Sequence, residues 1–213
     1  MSTIDIFKLK SKGVDLHLRV ASGHFATSSR HTNYYIDVAW QKARLSEARG
    51  VAENICSYYF ANTVVDTILC LDGTEVIGAC LADCLAKGDF INMNSHKTIY
   101  VVTPEIINGN QMVFRDNIVP MIAGKHVMIL EDTIVSGKMA ESACNTIRYY
   151  GGEVSAISAY FSAIEECAGM PVKSVFSPKD LPDYQNYEAH ECPICKKGIK
   201  LDALVNSHGY SKL

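Results

Sequence analysis

The sequence lacks the features of a membrane protein, a disordered protein or a protein that coats nucleic acid. Its 213 residues contain no apolar run of about 18 residues, the length that a membrane-spanning helix needs. It has no basic tract and its formal net charge is −3, so we expect neither a membrane nor a nucleic-acid partner. Charged residues make up 20% and hydrophobic residues 48%, which is typical of a globular protein of one domain with an appendage.

The chain has eight cysteines, yet their positions do not suggest disulfides. Cys56, Cys70, Cys80 and Cys144 lie inside apolar helix or strand patterns, where reduced cysteines act as small hydrophobic residues. The amino terminus carries an acid and lysines that interrupt any apolar segment of a targeting signal. We therefore expect a cytoplasmic protein.

The most informative segment covers residues 127–139. An apolar run from Val127 to Leu130 predicts a buried strand that ends at Glu131. Two adjacent acids at the end of a strand offer only acceptors, which suit the hydroxyls of a ribose or a Mg²⁺ ion. The small-residue turn that follows, with a helix starting near Lys138, is a site for a phosphate. The alternative is an ordinary strand-to-helix turn with solvated acids.

This order of residues resembles the phosphoribosyl-diphosphate (PRPP) binding motif of the type I phosphoribosyltransferases. In that family the acids hold the ribose hydroxyls and the loop cradles the 5′-phosphate. The resemblance implies PRPP contacts for Glu131, Asp132, Thr133, Ile134, Val135, Ser136, Gly137, Lys138 and Met139.

Strand and helix patterns alternate along much of the chain. Apolar spacing predicts helices over residues 46–60, 76–85 and 137–150, and strands over 64–71, 98–102, 127–131 and 154–161. Such alternation predicts an α/β fold with a parallel sheet and helices on both faces. The turn of Asp72, Gly73, Thr74 and Glu75 should then face the same crevice as the acid pair. It resembles the family's pyrophosphate loop.

Residues 23–37, GHFATSSRHTNYYID, narrow the resemblance to orotate phosphoribosyltransferase. Matches to that family's phrase fall at Phe25, Ser28, Arg30, His31, Tyr34, Tyr35 and Asp37. Hydroxyls and an aromatic pair suit a flat polar base, which is held by stacking and by hydrogen bonds to its edge. The resemblance implies base contacts, or contacts to a partner subunit, for Ser28, Arg30, His31, Tyr34 and Tyr35, together with Mg²⁺ and a homodimer. A polar hairpin that packs its tyrosines is the alternative.

The connection over residues 104–124 is a candidate lid. The family's lid carries an Arg-Lys pair and further lysines, whereas Arg115 is the only cation that we find in the equivalent loop. The family's arginine for the orotate carboxylate also has no counterpart near Ser162. Because positioned cations stabilise the leaving group, these departures predict slow turnover with orotate.

The tail, residues 178–213, is expected to be an extension to the phosphoribosyltransferase-like domain of residues 1–177. Cys192 and Cys195 have the spacing of half a zinc site, and a closed structural site takes four ligands. We consider His190, His208, Cys167 or a second chain as the source of the other ligands, and a pair of reduced thiols as the alternative. His24 is expected to be a surface or packing residue.

The sequence thus predicts an enzyme that transfers 5-phosphoribosyl from PRPP to a nucleobase, with orotate as the first choice. Glu131 and Asp132 would hold the ribose and stabilise the charge that develops on it, and Arg115 would meet the leaving group. Two alternatives stay open: a PRPP or nucleotide sensor without turnover, and a phosphoribosyltransferase for a purine base.

Overall fold

The computed structural model describes residues 4–10, 16–87, 92–95, 98–107 and 111–213. The strands are β1 Phe7–Lys10, β2 His17–Ala26, β3 His31–Ile36, β4 Thr67–Cys70, β5 Tyr100–Val102, β6 Glu105–Ile107, β7 Gln111–Val113, β8 His126–Ile134, β9 Glu153–Ser162, β10 Glu166–Cys167, β11 Met170–Phe176, β12 Asn186–Tyr187, β13 Ala203–Asn206 and β14 Gly209–Lys212. The helices are α1 Ala39–Ala43, α2 Leu45–Tyr59, α3 Glu75–Ala86, α4 Lys138–Tyr149 and α5 Pro193–Lys196. No helix in these described ranges is long and apolar enough to cross a membrane.

The central sheet has the strand order β10-β11-β9-β8-β4-β5, and its strands from β11 to β5 run parallel. Neighbouring residues of one strand face opposite sides of the sheet, so the side chains of each strand pack in two hydrophobic cores. Ile68 packs in the core that includes residues of α2 and α3, whereas Leu69 packs in the core that includes residues of α4. Both faces of the sheet are therefore covered by helices, and the predicted α/β fold is confirmed.

A second sheet joins the two ends of the chain. Its order is β12-β3-β2-β13-β14, with β1 also paired to β2. The tail strand β13 runs parallel to β2, with Ala203 opposite Phe25. The carboxyl-terminal extension therefore completes the sheet that the amino-terminal hairpin begins.

Three segments add to or change what the sequence predicted. Strand β8 continues past Glu131 to Ile134, because Thr133 and Ile134 keep pairing with β9 and the Ile134 side chain is buried. Residues 24–37, for which the sequence left a polar hairpin as the alternative, lie in the antiparallel β2–β3 hairpin. The candidate lid contains a short β6–β7 hairpin and a 3-10 turn at Val119–Met121, and its residues 108–110 lie outside the described residues.

Candidate active site

A cleft of about 660 Å³ lies at the carboxyl ends of the parallel strands. Four parts of the chain line it: the end of β8 with the loop into α4, the β2–β3 hairpin, Asp72 in the turn after β4, and the tail. Ligands of parallel α/β folds collect at this edge of the sheet. All nine residues of the PRPP-type motif, from Glu131 through Met139, line this one cleft.

The loop into α4 has the geometry of an anion site. Helix α4 begins at Lys138, as predicted, so its N-terminal end faces the cleft. Gly137 precedes the helix with φ +76°, in the left-handed region that favours glycine. A Cβ at this position would lie 2.8 Å from Ile164 Cδ1. The backbone conformation therefore favours glycine here, and a larger residue would also require the Ile164 side chain to shift.

Glu131 is a buried carboxylate without a donor. Its side chain lines the cleft at 2% exposure, and Oε1 has no hydrogen-bond partner among the described residues. Burial, with Asp72 and Asp132 nearby, raises the pKa of Glu131 well above its usual value. A buried acceptor left unpaired is costly, so this atom is suited to receive a donor from a ligand.

Asp132 is held by a lysine from a distant part of the sequence. Lys42 Nζ lies 2.8 Å from Asp132 Oδ2 and also donates to the carbonyl oxygens of Asp72 and Ser207. Burial raises the pKa of Asp132, and the charge and hydrogen bond of Lys42 oppose that shift. Lys42 therefore ties together the ends of two core strands and the tail.

The turn after β4 contributes a third acid. Asp72 adopts φ +55° beside Gly73 at +79°. Burial and the neighbouring Asp132 raise the pKa of Asp72 to about 6, against the effect of Lys42. Thr74 is buried and donates to the carbonyls of Leu71 and Leu130, so it fixes the turn to β8.

Of the four residues assigned to this turn, only two therefore lie at the site. Asp72 and Gly73 border the site. Thr74 is buried beneath the turn and holds it by hydrogen bonds, and Glu75 is exposed in the first turn of α3.

The β2–β3 hairpin brings some of its assigned residues to the cleft and not others. Ser28, Tyr34 and Tyr35 line it. Ser29 Oγ lies 3.3 Å from Ser136 Oγ, so the hairpin turn touches the loop of residues 133–137, which we call the anion loop. Arg30 lies 3.9 Å from Glu188 Oε1, outside the lining, and His31 belongs to a separate cluster described below.

Arg115, the cation assigned to the leaving group, lies outside the cleft lining. Its guanidinium donates to both carboxylate oxygens of Glu105, at 2.6 and 2.7 Å, across the base of the β6–β7 hairpin. Both the Arg115 and the Glu105 side chains are exposed, so this is a surface ion pair. Arg115 is therefore committed to Glu105 in this conformation.

Three contributions to the site were missed from the sequence. Lys42 sits in a five-residue helix, and its one sequence signal was its position shortly after the Tyr-Tyr phrase. Tyr184 lines the cleft beside Tyr34, with ring centroids 6.5 Å apart, and its buried hydroxyl has no partner in the described structure. The turn between β13 and β14 lines the cleft with Asn206 and Ser207, although the tail carried no pattern that indicated this.

A second group of side chains lies between the hairpin and the tail. It consists of His24, His31, Cys192 and Cys195, which we call the Cys/His cluster, and its ligand atoms lie within 4.8 Å of one another. Two histidines of the same chain therefore lie beside Cys192 and Cys195, in a group that could hold a metal ion. His24, which was expected to be a surface or packing residue, is buried, and its Nε2 lies 3.4 Å from Cys192 Sγ and 3.7 Å from Cys195 Sγ.

The complements considered from the sequence lie elsewhere. His190 is exposed beside Glu188 and Glu191, and Cys167 contacts the Gly137 carbonyl. His208 lies in the turn beside Asp72.

Comparison with known proteins gives one consistent likeness. No protein-family model matches the chain. It is 24% identical to the orotate phosphoribosyltransferase of Caldicellulosiruptor bescii over 185 residues, which cover 84% of this chain and 86% of the relative. It is 26% identical to the orotate phosphoribosyltransferase of Campylobacter hominis over 194 residues, or 85% of this chain and 90% of the relative.

Solved structures agree at the level of the fold. The orotate phosphoribosyltransferase of Mycobacterium tuberculosis, in complex with Fe(III) dicitrate, superposes with a TM-score of 0.52 and 18% identity, over 76% of this chain and 91% of that one. The adenine phosphoribosyltransferase of Trypanosoma brucei, in complex with AMP, pyrophosphate and ribose-5-phosphate, gives a TM-score of 0.51 and 13% identity, over 76% and 78%. The predicted resemblance to the type I phosphoribosyltransferases, and to the orotate enzymes in particular, is confirmed.

Proposed function

We propose that this chain, which has the type I phosphoribosyltransferase fold, transfers 5-phosphoribosyl from PRPP to a nucleobase and releases pyrophosphate, with orotate as the base. The observation that carries this proposal is the unpartnered Glu131 Oε1, buried at the cleft a few residues before an anion loop. A ribose 5-phosphate group carries both of the complementary features, because its hydroxyls are donors and its phosphate is an anion.

The phosphoribosyl group would lie along residues 131–139. Its hydroxyls would donate to Glu131 and Asp132, and its 5′-phosphate would rest against the backbone of the loop and the N-terminal end of α4. Lys42 holds one oxygen of Asp132, so the remaining acceptors are fixed in orientation before a ligand arrives. Such prior ordering reduces the entropy cost of binding.

In the reaction, a nitrogen of the base forms a bond to the anomeric carbon as the bond from that carbon to the pyrophosphate oxygen breaks. The electron pair of the broken bond leaves with pyrophosphate, and positive charge develops on the ribose ring. The carboxylates of Glu131 and Asp132 stabilise that charge best in a site that excludes water. Mg²⁺ would neutralise the pyrophosphate, and Asp72 at the rim offers the carboxylate oxygens that this ion prefers.

The base would enter between the hairpin and the tail. Tyr34 and Tyr184 present aromatic faces and the Tyr184 hydroxyl lacks a partner, while Ser28 adds a second hydroxyl. A flat ring with polar edges suits this lining. We favour orotate because the curated relatives that match most of the chain are orotate phosphoribosyltransferases. A purine base is the alternative substrate for the same reaction, because the similar fold of the Trypanosoma brucei protein belongs to an adenine phosphoribosyltransferase.

We further propose a homodimer, as the family resemblance implies, and a cytoplasmic location. All eight cysteines lie in the described part of the chain and all are free thiols, which suits a reducing compartment.

One observation favours a second candidate function, a sensor that binds PRPP or a nucleotide without turnover. Arg115 pairs with Glu105 in solvent instead of facing the cleft, so the lid supplies no charge to a leaving group in this conformation. Lys42 and Lys138 are cations at the site, but Lys42 is already paired with Asp132.

The test is to incubate the protein with PRPP, Mg²⁺ and a panel of pyrimidine and purine bases, and to measure pyrophosphate release and the nucleotide formed. We expect release that depends on orotate. Release with adenine alone would replace orotate by a purine, and tight PRPP binding without release for any base would favour the sensor. An Asp132→Asn variant is the control, because it should lose release that originates at this cleft.

A further inference from the structure

We propose that the Cys/His cluster binds one Zn²⁺ ion and that this ion clamps the tail onto the β2–β3 hairpin. The ligand atoms are His24 Nε2, His31 Nδ1, and the Sγ atoms of Cys192 and Cys195. Two nitrogens and two sulfurs in a compact group are the donor set of structural zinc sites. With four protein ligands the ion has no open position, so its role is structural and separate from the chemistry of the cleft.

The spacing of the ligand atoms fits a tetrahedral ion. His24 Nε2 lies 3.3 Å from His31 Nδ1, 3.4 Å from Cys192 Sγ and 3.7 Å from Cys195 Sγ. Cys195 Sγ lies 3.3 Å from His31 Nδ1. Ordinary zinc bond lengths around a tetrahedron place two nitrogens about 3.3 Å apart and a nitrogen and a sulfur about 3.6 Å apart. Four of the six distances between ligand atoms thus match this geometry, and all six lie within 4.8 Å.

The hydrogen bonds of His24 fix it in the form that binds a metal. Its Nδ1 lies 3.1 Å from the carbonyl oxygen of Ile199 and 3.2 Å from that of Lys200. A carbonyl oxygen only accepts, so Nδ1 must carry the proton and donate. Nε2 is then left with a lone pair that points at the two thiols. A metal-binding histidine is typically held by this kind of outer contact to a backbone carbonyl.

The tail has little else to hold it at this point. Residues 188–200 are all described, and among them Cys192 alone is buried. Helix α5 is one turn long and offers no apolar face to a core. A segment of this composition cannot be stabilised by hydrophobic burial, whereas metal binding contributes folding free energy directly. The ion therefore accounts for the order of a segment that packing leaves unexplained.

The clamp connects to the cleft through the tail. Just after the cluster, Asp202 accepts from the backbone N–H of His24 at 2.8 Å, and β13 pairs with β2. The next turn carries Ser207, whose carbonyl accepts from Lys42. Zinc at the cluster thus fixes the position of the tail just before the turn that reaches Lys42 and the acids of the cleft. His31, which the sequence assigned to the base, serves this clamp.

The first test is elemental analysis of the full-length protein purified without added metal. We expect one zinc ion per chain, and slow reaction of Cys192 and Cys195 with a thiol reagent until a chelator removes the ion. Zinc near zero with both thiols freely titratable would overturn the proposal, as would one iron in place of zinc. Both quantities can be measured whether or not the protein turns over PRPP.

A matched pair of variants separates the site from general cysteine effects. Cys195→Ser removes the exposed ligand and should lower the zinc content several-fold, whereas Cys80→Ser, on α3 and outside the cluster, should keep one ion per chain. Equal zinc in both variants would contradict the ligand assignment. If Cys195→Ser does not fold, cobalt replacement in the wild type gives a second reading: a visible spectrum without thiolate coordination would contradict the assignment.

Hydrogen exchange tests the clamp itself. After chelation, amide exchange in residues 188–212 should become about tenfold faster or more, while β8 and β9 keep their protection. Unchanged exchange in the tail after complete zinc removal would show that the metal does not hold it.

Discussion

Replacing Glu131 by Gln should weaken ligand binding and leave the protein at least as stable, two effects of opposite sign. The change keeps the shape of the side chain and removes its charge. A hydrogen bond to a charged acceptor contributes about 1.5–3 kcal/mol and one to a neutral acceptor about 0.5–1.5 kcal/mol. For the one free oxygen, Oε1, the loss is therefore about 1–1.5 kcal/mol, which raises the Kd for ribose 5-phosphate about 5- to 13-fold.

The effect of this change on stability follows from the pKa of Glu131, which burial and the neighbouring Asp72 and Asp132 raise. A carboxyl group whose pKa is raised by folding contributes its stability below the unfolded-state pKa and loses it as the pH rises through the folded-state value. At pH 7.5 the wild type therefore carries a cost that the Glu131→Gln variant, with its neutral amide, does not. The difference in unfolding free energy should shrink as the pH falls.

Calorimetric titration with ribose 5-phosphate and urea unfolding at pH 7.5 and pH 5 measure the two quantities. Glu141→Gln is the control, because Glu141 is exposed on α4 and lies outside the cleft lining, so both quantities should stay close to the wild type. An unchanged Kd together with lower stability would refute the reasoning, since it would make Glu131 a structural residue with a donor of its own.

The other predictions concern Asp72, Lys42 and Tyr184. Burial raises the pKa of Asp72 from 3.8 to about 6, so the stability that its carboxyl group contributes is present below the lower value and lost above the higher one. Between pH 4 and pH 7 the unfolding free energy of Asp72→Asn should therefore rise by up to about 3 kcal/mol relative to the wild type. A difference in urea unfolding that does not vary with pH would contradict this. Lys42→Met leaves a buried Asp132 unpaired and should lower the unfolding free energy by about 3–5 kcal/mol, against less than about 1 kcal/mol for Lys87→Met in an exposed pair with Asp83. Similar losses in these two variants would show that the Lys42 pair is not special. Tyr184→Phe removes a hydroxyl without a partner and should raise the KM for the base several-fold with no loss of thermal stability; an unchanged KM would remove Tyr184 from the base site.

The acid pair and the anion loop could be predicted because their signal is local. Strand, acids, glycine turn and helix follow one another within residues 127–149, so periodicity and turn chemistry were sufficient. The end of β8 was misplaced by three residues because Thr133 and Ile134 keep pairing with β9, a contact that the local sequence does not reveal.

The remainder of the site depends on contacts between distant residues. Lys42 meets Asp132 across 90 positions, and His24 meets Cys192 across 168. No spacing pattern in the sequence predicts either contact. The tail was expected to be an appendage because it lacks apolar periodicity, yet its strand β13 pairs with β2 and its turn reaches the cleft. Arg115 was assigned by its position in the loop, and Glu105 at the other side of the same hairpin binds it instead.

The most direct measurement of the central claim is a crystal structure of the protein with ribose 5-phosphate. We predict that the sugar hydroxyls lie within hydrogen-bonding distance of the Glu131 and Asp132 carboxylates. The phosphate should lie against the backbone at Ser136 and Lys138, at the start of α4. A sugar bound in the opposite direction, or a phosphate bound away from residues 133–139, would contradict the assignment of this cleft as a phosphoribosyl site.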